Sequence, residues 1–462
     1  MVCAELAPLA KTGGLGDAIA GLCVALARAG HDVRVLLPNY GLAAHPVRTL
    51  DTFLSKSAEY RYVEIRHELG AVRVYLLDTP EFGDGMIYTG DVRDARRFFA
   101  LADAGARLPA ALEWMPDVVH CHDWHAALVP VLLRKRSPRV RPKTMLTLHN
   151  IGYQGEFAAD VLEADERTGV AASIDATATP PTINYLRAGL EEADVITTVS
   201  PTYAREIQTS AYGAGLDDIL RARRSDLVGI LNGVDYSIWD PRVDPYIGAH
   251  YDRHEPGGKQ RVKQALCRDM GLACGPGEPL LGVVSRLVPQ KGIDLLATLL
   301  PQILERSGAR FALLGSGDPE LERMLAGFAE HAPARVAFKR GYHEALAHRI
   351  LAGSDIIVVP SRYEPCGLTQ MYALRFGSIP VVRATGGLAD TVQHFDPASG
   401  RGNGSVFEHA DTQSLAWGIE EACRWFADAP TWARVVANAM AADFSWDRQV
   451  PEYVAAYRRL VS

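Results

Sequence analysis

Short apolar runs alternate with helical stretches along almost the whole chain. In the first half the strand-like runs are VRVLLP (33–38), VRVYLLD (72–78), DVVHCH (117–122), KTMLTLHN (143–150), DVITTVS (194–200) and LVGILNG (227–233). A second series comprises PLLGVVSRL (279–287), RFALLGSG (310–317), RVAFKRG (335–341), DIIVVPS (355–361) and IPVVRAT (379–385). Amphipathic segments at 17–30, 186–193, 293–306 and 343–351 lie between them. Near-continuous apolar strands separated by helices predict parallel sheets covered on both faces. The stretch at 240–261 is rich in Pro, Gly, His and charge and reads as a linker. The pattern therefore predicts an α/β protein of two doubly wound domains facing a central cleft: residues 1–245, a linker at 246–261, and residues 262–440. Residues 441–462, with Trp446, Tyr453 and Tyr457, are expected to form a helix that packs back on the first domain. Open α/β sheets bind ligands beyond the carboxyl ends of their strands, so the loops that follow these runs are where chemistry is sought.

Composition narrows the field. A chain of 462 residues exceeds what one core usually supports, and 48% hydrophobic with 22% charged residues describes a globular protein. The formal net charge of −7 argues against a partner that is nucleic acid or an anionic membrane. No stretch approaches the roughly 18 continuous apolar residues that a membrane span needs. Seven scattered cysteines with no CxxC fit free thiols in a reducing compartment better than a disulfide framework, and no leader is evident, so the expected location is cytoplasmic. Any polyanionic ligand must then meet a local cluster of positive groups.

Several loops offer such groups. KTGGLGD (11–17) follows the first strand remnant. Gly13 and Gly14 let backbone N–H groups approach a ligand, a helix behind them aims its positive end there, and Lys11 adds a full charge. The same pattern also makes a tight strand-to-helix turn with a solvated lysine. HCHDWH (120–125) ends another strand. Its histidines and cysteine suggest zinc, but residues along a strand alternate faces and do not all converge on one ion. A polar strand end fits better, with Asp123 orienting a polar substrate while Trp124 and some histidines pack. The next strand ends in His149 and Asn150, which point to the same site. In the second half, SRLVPQKG (285–292) sets Arg286 and Lys291 just past a strand, suited to a diphosphate. PSRYEPCGLTQ (360–370) places Glu364 in a loop before a helix start containing Thr369. A carboxylate beside an anion site needs a purpose, since the ligand would repel it.

Taken together, these stretches resemble the bacterial glycogen synthases of the starch-synthase family, retaining glucosyltransferases of two Rossmann-like domains (GT-B). The resemblance rests on AELAPLAKTGGLGD, HCHDWHAAL, TLHNIGYQGEF, INYLRAGLEEADVITTVSPTYAREI, GILNGVDYSIWDP, GVVSRLVPQKGIDLL, LLGSGDPELE, FKRGYHEALAHRI, the run from PSRYEPCGLTQ to TGGLADTV, and FSWDRQVPEY. These ten blocks run in order nearly end to end. The resemblance implies glucose transfer from ADP-glucose to the non-reducing 4-hydroxyl of an α-1,4-glucan (glycogen), with UDP-glucose as the alternative donor. It implies that Lys11, Gly13 and Gly14 face the donor's diphosphate and sugar, and that Asp123, His149, Asn150 and Asn232 meet the glucosyl unit. It further implies that Arg286 and Lys291 neutralise the diphosphate and that Tyr342 stacks near adenine. Glu364, Cys366, Gly367 and Leu368 would hold glucose hydroxyls, and Thr369 would cap its helix against phosphate. No cofactor or metal is expected, because side chains supply the charge.

The residue eight after Glu364, where some related transferases carry a second carboxylate, is Tyr372. Front-side attack and a covalent double displacement both stay open. A nicotinamide dehydrogenase is disfavoured because no GxGxxG opens either domain. A glucan-binding protein without catalysis would be expected to lack Lys11, Arg286, Lys291 or Glu364, and all four are present. The segment 79–98 looks shorter than in many relatives, no carbohydrate-binding module is appended, and only MVC precedes the AE pair. Extending that short first strand by a few apolar residues is expected to raise the melting temperature or turnover. Unchanged values would show that the short strand suffices.

Overall fold

Three residues, Met1 to Cys3, lie between two four-stranded arrays and join them into one sheet. In the computed structural model, which describes residues 1–42, 46–54, 59–65, 67, 69–136, 141–275 and 277–462, Val2 bridges in parallel to both Leu36 and Cys121. Val2 N–H donates to His120 O (2.9 Å) and His122 N–H to Val2 O (3.1 Å). On the other side Cys3 N–H donates to Leu36 O (3.2 Å) and Leu36 N–H to Met1 O (2.9 Å). One array runs Arg34–Pro38, Arg73–Asp78, Glu59–Ile65, Pro46–Leu54, and the other Leu227–Gly229, Val195–Thr198, Lys143–Leu148, Val118–His122. The second array is wholly parallel, as the apolar runs predict. The first ends in an antiparallel pair at 46–65 that the sequence reading did not anticipate.

The chain divides into two compact units, Met1–Gly233 with Trp446–Ser462, and Val234–Ser445. The helix Trp446–Val461 therefore groups with the first unit. Its Trp446 sits where Gly21 and Gly233 leave room: a Cβ on Gly21 would lie 1.9 Å from the indole Nε1, and one on Gly233 2.5 Å from Cδ2. The first unit's core also takes in the unpredicted helix Arg93–Ala111, whose charges hide its apolar face. There Arg97, 2% exposed, pairs with Asp94 at 3.0 Å.

The second unit is a six-stranded parallel sheet, ordered Val336–Arg340, Arg310–Gly315, Leu280–Val284, Ile356–Val359, Ile379–Arg383, Ser405–Phe407. In chain order that is 3-2-1-4-5-6, the doubly wound arrangement whose switch point lies between its first and fourth strands.

Two expectations need correction. The proposed linker is not set apart, because the second unit begins at Val234 rather than 262 and includes 246–261. Some of the polar residues at 240–251 are buried partners within that unit, although those at 253–255 are exposed. Asp244 bonds His348 at 2.6 Å, and the Tyr251 hydroxyl donates to Ala352 O (3.1 Å) and Phe376 O (2.9 Å). Nor are all cysteines free: Cys267 and Cys274 form a disulfide. The helix Gly257–Met270 ends between them, and the chain folds back so that Leu272 N–H reaches Cys267 O (2.8 Å), bringing the thiols together. The other five cysteines, Cys3, Cys23, Cys121, Cys366 and Cys423, are outside any disulfide. No described helix is long and apolar enough to cross a membrane.

Replacing Val2 with proline removes the N–H that reaches His120 O and leaves that carbonyl unpaired inside the sheet. A loss of about 1–3 kcal/mol of unfolding free energy is expected, measured by chemical denaturation, with Val2→Ala costing less.

Candidate active site

Both clusters of candidate residues lie beyond strand ends at switch points, each in its own unit. In the first unit the remnant strand at 1–3 stands between its successor, 34–38, and strand 118–122. The glycine loop follows the strand at 1–3, and Asp123 follows strand 118–122. Helix Gly14–Arg28 begins directly after Gly13, earlier than the periodicity predicts. The loop is organised by Glu5, which sequence reasoning missed although it lies inside the AEL match. Its carboxylate, 3% exposed, accepts from Thr12 N–H (2.8 Å), Thr12 Oγ1 (2.9 Å), Gly13 N–H (3.3 Å) and the Tyr88 hydroxyl (2.6 Å). Lys11 pairs with Asp17 at 2.9 Å, so its ammonium is held over the first turn of the helix.

Asp123, His149 and Asn150 come together. Asp123 adopts a left-handed backbone (φ +57°), which aspartate tolerates better than most residues. Its buried Oδ1 accepts from the main-chain N–H of His149 (2.6 Å) and of Asn150 (3.3 Å), tying two strand ends together. Burial pushes the Asp123 carboxyl up to about 7, against the pull of those two N–H groups. Burial also lowers His149 to about 3 and holds His122 well below its usual value. His125 packs against Phe98, Trp124 and Tyr88, and its pKa falls to about 3 chiefly through burial. Asn232 is 5% exposed, and its Oδ1 is a buried acceptor without a partner.

In the second unit Lys291 and Glu364 meet at the switch point. Lys291 follows strand 280–284 and Glu364 follows strand 356–359. Lys291 Nζ donates to Glu364 Oε2 at 2.6 Å, and Ser361 Oγ reaches the same oxygen at 2.9 Å. The carboxylate that precedes the helix start at Thr369 is thus paired with a lysine. Arg286 is exposed nearby in sequence, at the end of the first strand, and Tyr342 is 68% exposed after strand 336–340.

Gly386 and Gly387 brace the Glu364 loop. Gly387 N–H donates to Glu364 O (3.1 Å), and a Cβ there would lie 2.1 Å from Cys366 O. Gln370, another residue missed, is fully buried, and its amide nitrogen bonds Cys366 O (3.1 Å), Gly367 O (2.9 Å) and Thr391 Oγ1 (3.0 Å). The expected cap by Thr369 is not formed. Leu368 occupies the N-cap position of helix Thr369–Arg375, and no side chain caps it, because Thr369 is already the first helical residue. Tyr372 lies flat on Trp239 (centroids 3.9 Å apart, planes 3°), which stacks in turn on His348 (3.7 Å, 11°). The position eight after Glu364 therefore belongs to an interior aromatic stack. A carboxylate there would be buried.

Known proteins carry the same pattern. The family profile "Starch synthase catalytic domain" matches residues 1–222, and "Glycosyl transferases group 1" matches 273–425. Glycogen synthase of an Anaeromyxobacter species is 42% identical over all of this chain and 99% of its own length. That of Alkalilimnicola ehrlichii is 43% identical over 98% of this chain and 97% of its own. Among solved structures, the catalytic domain of Arabidopsis thaliana starch synthase IV, bound to ADP and acarbose, superposes with a TM-score of 0.88 at 34% identity, covering 99% of this chain and 98% of that one. A Thermosynechococcus elongatus sucrose-phosphate synthase, at 21% identity and TM-score 0.62, shares the fold.

The raised Asp123 carboxyl has a signed consequence. Between its unfolded value near 4 and about 7 the folded state holds the extra proton, so Asp123 makes stability fall as pH rises through that window. Asp123→Asn keeps an acceptor for the two N–H groups and cannot ionise. The wild type is expected to lose stability relative to this variant from pH 4 to pH 7, as read from denaturation midpoints; parallel profiles would show that Asp123 does not titrate there.

Proposed function

The chain belongs to the starch synthase and glycogen synthase family, and on that premise we propose that it extends an α-1,4-glucan by transferring glucose from ADP-glucose to the non-reducing 4-hydroxyl with retention of configuration. The observation that carries this reading is the Lys291–Glu364 pair at the switch point of the second unit's sheet. Departure of ADP places negative charge on the diphosphate and oxocarbenium-like positive charge on the sugar. Arg286 and Lys291 answer the first. Glu364 answers the second, and with Cys366, Gly367 and Leu368 it holds glucose hydroxyls. Thr369, its hydroxyl not spent on a cap, is assigned to phosphate. Lys11, Gly13 and Gly14 attend the diphosphate and sugar, and His149, Asn150 and the orphaned Asn232 Oδ1 the glucosyl unit. Asp123 serves by fixing the backbone that carries His149 and Asn150.

In the reaction the bond from C1 to the diphosphate oxygen breaks and the acceptor O4 bonds C1. The 4-hydroxyl proton leaves with the departing diphosphate. The aromatic stack at Tyr372 favours this front-side course over a covalent intermediate that calls for a second carboxylate at that position. ADP as the leaving nucleotide is supported by the ADP bound to Arabidopsis starch synthase IV and by Tyr342, exposed for stacking on a base. We place the enzyme in the cytoplasm, with glycogen and the donor as its partners. No metal is needed, since Arg286 and Lys291 supply the charge a metal would otherwise bring.

Glucan elongation measured with ADP-glucose and UDP-glucose tests these assignments. Faster incorporation from ADP-glucose is expected, unchanged by EDTA, with Glu364→Ala lowering kcat by roughly 10²–10³. Incorporation from neither donor would sink the enzyme reading. A preference for UDP-glucose would overturn the donor, and loss of rate in EDTA the metal-free mechanism.

A further inference from the structure

His149 presents its ring in a fixed setting, and the residue that sets it is His122. The two lie at the ends of adjacent parallel strands, with His122 Nδ1 3.1 Å from His149 Nε2. One nitrogen donates and the other accepts, so the pair has two arrangements. His122 Nε2 decides between them, because it is buried without any partner. If His149 donated, His122 would carry its proton on Nε2, as a buried N–H bonded to nothing. If His122 donates, Nε2 is only a bare lone pair. Orphaned buried N–H groups are the rarer of the two, so the second arrangement is favoured.

We infer that His122 is a positioning residue which donates from Nδ1 to His149 Nε2 and so fixes His149 as the tautomer that offers an Nδ1–H donor to the substrate. Burial keeps both rings neutral, consistent with this exchange. A neutral donor suits the oxygen of a sugar hydroxyl, which needs a hydrogen bond and no charge. His122 is itself held in place. Its ring lies against His120 (centroids 4.2 Å apart), and His120 is pinned from both sides. The Tyr457 hydroxyl sits 2.7 Å from His120 Nδ1, and Thr147 Oγ1 sits 2.5 Å from its Nε2, with Thr197 Oγ1 a further 2.5 Å on. Tyr457 belongs to the chain-terminal helix, so that helix takes part in setting a ring at the substrate-facing strand ends.

The inference rests on the reading that His149 meets the glucosyl unit, and its test separates the two. Histidine-selective ¹⁵N labelling of the full chain reports which nitrogen of His149 carries the proton, with the signals assigned by their loss in His149→Gln. Protonation on Nδ1 supports the inference and protonation on Nε2 overturns it, whatever the enzyme's activity. Glucan elongation then reads the consequence. His122→Phe keeps a buried ring and loses the donor, so kcat/KM is expected to fall about tenfold at an unchanged melting temperature. His122→Asn places an amide N–H where Nδ1 was and is expected to recover most of that loss. A Phe variant as active as wild type, or an Asn variant as poor as Phe, would overturn the positioning role. Absence of any elongation by the wild type would instead count against the enzyme reading and leave the tautomer measurement standing.

Discussion

Four backbone hydrogen bonds around Met1, Val2 and Cys3 carry the first unit. They are what makes two four-stranded arrays one sheet, and they create the switch point at which the glycine loop and Asp123 leave adjacent strands. A strand this short has little freedom in register, because each of its neighbours bonds it from one side only. Glu5 then takes over where the ladder stops: its buried carboxylate gathers Thr12, Gly13 and Tyr88, so the loop is set by one anion rather than by sheet pairing.

The second unit solves the same problem with charge. Lys291 and Glu364 approach from the first and fourth strands, and each compensates the other's charge. Removing one partner of such a pair leaves the other charge uncompensated, which costs more than the pair contributes. The loop around Glu364 accordingly has little slack. Gly387 supports it from below through Glu364 O, and Gln370 crosses between Cys366 O and Gly367 O.

The strands were legible because buried parallel sheets leave continuous apolar runs. Several runs nevertheless overshoot the strand at its carboxyl end, as KTMLTLHN does past Leu148, where the His149 and Asn150 N–H groups turn to Asp123 rather than to the ladder. Helix Arg93–Ala111 escaped because Arg97, Asp94 and Asp103 are charged and still buried, and residue type does not reveal a partner. The same limit explains the misread linker, whose Asp240 and Asp244 look solvated until Arg375 and His348 are seen beside them. Motifs nominated candidate positions, but not their pairings. Glu5, His122 and Gln370 lie inside quoted stretches and went unassigned, because their roles depend on residues that only the fold brings near.

The helix Trp446–Val461 has a bearing on how the protein is made. It completes the first unit, yet 212 residues of the second unit, Val234–Ser445, precede it in the chain. On the ribosome the segment to Gly233 emerges with the space beside Gly21 and Gly233 unfilled, and Trp446 arrives only after the second unit has been made. The second unit, continuous in sequence, can finish folding first. Biogenesis then runs opposite to reading order: the unit whose sequence appears first is sealed after the second, and a ribosome that stalls within helix 446–461 leaves one unit complete and the other open.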